Sequence, residues 1–313
     1  MSVSSKSSGI TSNRWFKPVV VTAGALVVAL ILVLVAQWLR TLQPVQQFLT
    51  DYPGGHSAIP EGAPPTGFPA WLGWQHFLNM FFIVLIIRSG WQVRTTTRPA
   101  ANWTRNNKGF IKTKNPPHQD QPGPMVPPDS GCALVLNGII FIVLLFATGQ
   151  WLRIVPTSWD VFPNAISAGL QYASLNWPVE NGWNNYNSLQ LLTYFITVFI
   201  AAPLAIITGI RMSGAWPKKA AINKFYPIEL ARKIHFPVMI YFVAFVIVHV
   251  TLVLATGALR NLNHMYASND DNSSWWGGFG IFAASIVFTA AAWFLARPLF
   301  LRPIASLMGK VSR

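Results

Sequence analysis

Residues 229–260 read ELARKIHFPVMIYFVAFVIVHVTLVLATGALR, an apolar run long enough to cross a bilayer that carries two histidines, His235 and His249, fourteen positions apart. At a rise of about 1.5 Å per residue the two rings stand roughly 21 Å apart along one helix. That separation is close to a whole number of turns, so both rings project from the same face. An ionisable side chain in a membrane span is costly and therefore a functional expectation by default. Neutral imidazole is a ligand for haem iron, and two haems stacked across a membrane, one near each face, would need this spacing. The plain alternative is a pair of histidines bonded to neighbouring helices of an ordinary bundle.

The composition sets the environment of that run. Of 313 residues, 52% are hydrophobic and 10% charged, with 14 Trp, and the apolar residues fall in uninterrupted segments. The expected fold is all-α, a polytopic membrane bundle of about six transmembrane helices. A net charge of +14 raises nucleic acid as a partner. The basic residues lie in short loops between apolar runs, where the positive-inside rule accounts for them, so membrane lipid is the expected partner and nucleic acid is not. The single cysteine, Cys132, allows no intramolecular disulfide and no C-x-x-C-H attachment site, so any haem is non-covalent.

Along the chain, residues 1–17 form a Ser-rich basic tail expected to be disordered, and 18–40 hold a first span, PVVVTAGALVVALILVLVAQWL, with no ionisable residue before Arg40. Lys6, Arg14 and Lys17 ahead of this run resemble a secretory signal, yet it reaches Gln37 and Trp38 without a small-x-small cleavage motif and is read as a retained helix. Thr41 to Pro69 is a loop rich in Pro and Gly, where His56 is read as solvated. The second span, AWLGWQHFLNMFFIVLII from Ala70, places a third intramembrane histidine, His76, beside Gln75 and Asn79, either of which could satisfy it in a purely structural role.

A basic stretch and the segment NPPHQDQPGPMVPPDSG make 92–132 a loop, because so much proline excludes a helix. The third span is expected over Ala133–Val155, with Gly138 and Gly149 as places where a flat macrocycle or another helix could approach. In the loop that follows, Ile166, Leu170, Ala173 and Trp177 recur at helical spacing and predict a short interfacial helix. The fourth span, Leu189–Ile210, contains Pro203 and Gly209. The sixth begins near Trp276, within a C-terminal segment 276–313.

Charge orients these spans. Lys and Arg number 3 in the N-terminal tail, 7 from Arg88 to Lys114, 6 from Arg211 to Lys233 and 4 from Arg297 onward, against only Arg40, Arg153 and Arg260 on the other side. Both termini are therefore expected in the cytoplasm of a multi-pass protein of the cell membrane. His76 and His249 then fall at similar depth near the outer face, where they can bind opposite sides of one haem. His235 lies near the inner face, where no other span carries an obvious histidine. Arg40, Arg153 and Arg260 could meet haem propionates, though anchoring of span ends is the expected role of each. His264, in the outer loop, is read as interfacial.

One histidine early in one span, in WQHFLNMFF, and an I-H-x13-H run on a later one resemble the di-haem cytochrome b subunits of bacterial formate dehydrogenase, thiosulfate reductase and nickel hydrogenase, the cytochrome b561-like superfamily. The resemblance covers residues 70–260, a four-helix core to which the first and sixth spans are additions. It implies His76, His235 and His249 as axial ligands to the iron of one or two haems b. It also implies electron exchange between the quinone pool and a peripheral molybdopterin or iron-sulfur oxidoreductase that the subunit anchors.

The family's fourth ligand is a histidine at the start of the next core helix. The corresponding position here is Pro127, in MVPPDSGCALVLNG. A substitute ligand (His118, Met125 or Cys132), a single haem, and a local disturbance of the sequence between Lys114 and Cys132 all accord with this. The chain itself holds no cysteine cluster or nucleotide loop, so it would be an electron-transfer subunit and not a stand-alone enzyme. Two other readings compete: a haem-free membrane anchor, and a transporter in which the three histidines relay protons, although no carboxylate lies within the spans to support a relay.

Overall fold

In lipid every backbone polar group must be satisfied within the protein, and a helix does this inside one segment. The chain is built accordingly. The computed structural model describes residues 16–54, 65–95, 102–105, 129–177, 182–213, 216–217, 221–270, 275–295, 306 and 309–312. Within these lie α1 (Phe16–Leu39), α2 (Gln43–Asp51), α3 (Ala70–Thr95), β1 (Asn102–Arg105), α4 (Asp129–Ala147), α5 (Val161–Ala173), α6 (Ser188–Phe195), α7 (Ala202–Met212), α8 (Ile228–Ala255), α9 (Ala258–Ala267), α10 (Gly277–Leu295) and β2 (Gly309–Ser312).

Among the described residues four stretches are long and apolar enough to cross a membrane: Phe16–Leu39, Ser188–Met212, Ile228–Ala255 and Gly277–Leu295. Ala70–Leu85 and Ala133–Ala147 are shorter apolar helices, which complete the six apolar segments expected. The helical membrane bundle is thus the observed architecture. The strands add one short antiparallel pair, with Asn102 opposite Ser312.

Two helix ends differ from expectation, and a glycine sets each. The third span stops at Ala147 instead of Val155, because Gly149 turns to a φ of 72° and a 3-10 turn, Gln150–Arg153, follows. The run 229–260 is two helices, because Gly257 takes a φ of 127° between α8 and α9. Ser188–Met212 stays helical through a π-helical turn, Ile196–Ala201, in which the Ala202 N–H donates to the Thr197 carbonyl. Pro203, next in the chain, has no N–H to continue the ordinary ladder.

The chain divides into two compact units. In the first, α1 is apolar all round and buries only Ala36, the pattern of a helix facing lipid. At its end the Gln37 amide donates to the Ser174 carbonyl at 3.2 Å and the Arg40 guanidinium to the Ser174 hydroxyl at 3.1 Å. The helix anticipated from Ile166, Leu170 and Ala173 is α5. It buries Val161, Asn164, Ala165, Ser167 and Ala168 and leaves Ile166 exposed, which suits an interfacial element; Trp177 lies beyond its end. Asn187 begins α6 with a reciprocal capping box, its side chain accepting from the Gln190 N–H and its own N–H donating to the Gln190 side chain.

In the second unit α9 is the keystone. It packs against α3, α8 and α10. The backbone of α9 passes so close to two glycines that a Cβ on Gly73 would lie 2.5 Å from the Met265 carbonyl oxygen and one on Gly278 would lie 2.4 Å from that of Leu262. Buried Asn263 secures this contact, donating to the Trp275 carbonyl at 3.0 Å and accepting from the Gly278 N–H at 2.9 Å. Between α3 and α4, buried Asn137 donates to the Asn79 side chain at 2.8 Å, and Trp71 meets Phe141 edge to face.

Candidate functional site

His76 arrives on α3 and His249 on α8. Their ring centroids are 6.2 Å apart, with planes inclined at 47°. Phe245, one turn before His249 on the same helix, stacks on its ring at 5.3 Å and 10°. Tyr266, on α9, meets His76 edge-on and shares a hydrogen bond with its Nδ1 at 3.1 Å. Tyr266 in turn packs against Phe282 of α10, with ring centroids 5.3 Å apart. The structure therefore brings together two of the three expected histidines, on separate helices, with a third helix bracing one of them.

The donor set suits a haem. Metal–imidazole bonds of about 2 Å on opposite sides of one ion, plus the radius of each ring, put two ring centres about 6 Å apart. The pair has that spacing. Two imidazoles supply only two donor atoms, and among the described residues no group of three His, Cys, Asp or Glu side chains converges as a metal site. A macrocycle that brings its own equatorial nitrogens matches such a pair, and imidazole suits iron.

His235 is on α8 with His249, as the spacing predicts, but it keeps different company. Its Nδ1 is 2.7 Å from the Thr208 hydroxyl of α7, and Thr208 Oγ1 lies 2.6 Å from the Leu204 carbonyl. Gln75 and Asn79 do not satisfy His76 by any bond described: Asn79 pairs with Asn137. His264 is buried, with Nε2 2.7 Å from Asp270 and its ring against Phe68 and Trp183. Asp270 also faces Arg260 at 3.8 Å. Arg153, expected to anchor a span end, is only 2% exposed and lies beside the buried phenol of Tyr186. His56, His118 and Met125 fall outside the described residues.

Tyr266 and Thr208 were not singled out in the sequence. Tyr266 had one available signal: Gly257 divides the long apolar run, and the ten residues of α9 after it are amphipathic. Thr208 had none, since a hydroxyl within an apolar span ordinarily bonds its own preceding turn.

No curated protein and no solved structure matches the chain. The family described as prokaryotic cytochrome b561 matches residues 130–268, from the start of α4 to just past α9. The matched segment contains His235, His249 and Tyr266, and His76 lies before it. A cytochrome b family implies haem b and electron transfer in the membrane, in keeping with the helical spans and the facing imidazoles. Over residues 130–268 the chain is thus similar to the prokaryotic cytochrome b561 family.

Proposed function

We propose that this protein is the haem-carrying membrane subunit of an oxidoreductase complex, passing electrons between the quinone pool and a peripheral molybdopterin or iron-sulfur enzyme that it also anchors. The observation that carries this reading is the facing of His76 and His249 at 6.2 Å on two apolar helices. Bound there, haem b supplies one-electron chemistry, and two imidazole ligands leave no open iron position for oxygen or substrate.

The chain's own residues do the rest. His76 and His249 hold one haem near the outer face, with Phe245 and Tyr266 fixing the two rings, and apolar α8 excludes water. His235 serves a second haem nearer the cytoplasm. The Lys and Arg bias supports cytoplasmic placement of both termini.

A reduced-minus-oxidised spectrum of the purified protein, with haem quantified per chain, tests the reading. His76→Ala and His249→Ala are each expected to abolish the same haem, and His235→Ala to spare it. Haem content unchanged in either of the first two variants would overturn their assignment. Absence of haem from the parent protein would leave a haem-free anchor or a transporter.

A further inference from the structure

A buried polar atom that a membrane helix leaves unsatisfied marks a place where another group belongs. Two such atoms lie on α3. Trp71 Nε1 and Gln75 Oε1 are buried and, among the described residues, have no hydrogen-bond partner. An indole N–H or an amide left unpaired in apolar surroundings is costly, so it is ordinarily met by a side chain, a water or a bound molecule. Gln75 is only 6% exposed, which keeps bulk solvent from meeting that need.

Trp71 and Gln75 are four residues apart and share a face of α3. The next polar residue on that face, Asn79, is already bonded to Asn137 of α4, and the Trp71 ring packs on Phe141 of the same helix. Gln75 immediately precedes His76. Trp71 stands five residues before His76, about 7.5 Å toward the start of α3, its outer end in the orientation proposed above. A macrocycle centred between His76 and His249 is much broader than either imidazole, so its rim falls beside the helices that carry the ligands.

The rim of haem b carries propionate carboxylates, and a carboxylate within a membrane domain needs donors. Trp71 supplies an N–H that can only donate. No described bond fixes which end of the Gln75 amide is which, so a half-turn of that amide presents its NH2 where its oxygen stands. Arg260, the arginine of this unit expected on the same side, already faces Asp270 at 3.8 Å. We infer that Trp71 and Gln75 bind one propionate of the haem held by His76 and His249. Two axial imidazoles leave the macrocycle free to rotate about the line joining them, and this contact fixes that rotation. The inference rests on the haem-ligand reading above.

The test is resonance Raman spectroscopy, with potentiometric titration over a series of pH values, on the full-length purified protein and its variants. Trp71→Phe keeps a ring against Phe141, and Gln75→Leu keeps the bulk of the side chain. Each is expected to retain the haem lost in His76→Ala and to shift that haem's propionate-bending band. Each should also move the fall of its midpoint potential to higher pH, because a hydrogen bond to the charged carboxylate favours ionisation and its loss defers it. Asn137→Leu, which breaks the bond one turn further along the same face, separates packing from propionate contact. It is expected to leave the band where it is.

A band and pH profile unchanged in both Trp71→Phe and Gln75→Leu would overturn the inference and leave the two side chains as partners of each other or of a buried water. An equal shift in Asn137→Leu would overturn it as well, since looser helix packing would then suffice. A parent protein without haem would instead remove the functional reading on which it rests.

Discussion

Gly73 of α3 lies under the carbonyl of Met265, so close that a Cβ there would fall 2.5 Å from the oxygen. The neighbour is backbone and cannot rotate aside, so a side chain at position 73 must push α9 away from α3. Gly73→Val is expected to cost about 1–3 kcal/mol of stability, the usual penalty for overpacking. Because Tyr266 follows Met265 directly, the variant should also separate Tyr266 from His76. Thermal unfolding in detergent, with haem counted per chain, checks both effects; full haem content with unchanged stability would show that α9 is not held at this point.

The Asn79–Asn137 bond at 2.8 Å joins two amides inside the apolar α3–α4 contact. Replacing Asn137 leaves the half-buried Asn79 amide without its partner, which costs about 1 kcal/mol or more, whereas removing both deletes the demand along with the bond. Asn137→Leu alone is therefore expected to be clearly destabilising and the double variant Asn79→Leu with Asn137→Leu to recover most of the loss. A double-mutant cycle on unfolding midpoints reads the coupling. Additive losses would mean that the two amides act separately.

Asn263 makes two bonds from α9, to the Trp275 carbonyl and from the Gly278 N–H, with no exposure to solvent. Asn263→Ala removes both, and the N–H left behind opens α10 as an orphan donor. We expect a loss of about 2–3 kcal/mol, and proteolysis should then begin in the α9–α10 connection. Cleavage there at the parent rate would argue against Asn263 as the fastening.

Burial pushes the Tyr186 phenol up to about 12, with the nearby Arg153 guanidinium opposing the shift. In the unfolded chain a tyrosine releases its proton near pH 10, so between about pH 10 and 12 the unfolded state binds fewer protons than the folded one. Stability from this group is full below pH 10 and falls as pH rises toward 12. Tyr186→Phe should flatten that fall. Unfolding midpoints between pH 9 and 11, with parent and variant falling in parallel, would show that another group governs it.

The six apolar segments and the histidine spacing were legible because both are periodic properties of one segment at a time. Hydrophobic runs declare spans whatever they pack against, and fourteen residues on a helix return to the same face. The conformations of Gly149 and Gly257 were less so, since a glycine within an apolar run signals helix packing as readily as a helix end. The partner of His76 was illegible. Gln75 and Asn79 were its nearest polar neighbours in sequence, yet Asn79 bonds Asn137 on α4 while a tyrosine from a helix hidden in the tail of the fifth span bonds His76. The burial of His264 was illegible for a related reason: its loop position concealed the carboxylate of Asp270 six residues on, which lets the imidazole lie buried.

Tyr266 stands 190 residues beyond His76. A chain emerging from the ribosome delivers one imidazole early, the second only after two more apolar segments have passed, and Tyr266 later still. Tyr266 can reach His76 only once α9 has followed α8, so the first imidazole is braced late in synthesis. Any fragment that stops after α8 would own both histidines and still lack the means of holding the first one still.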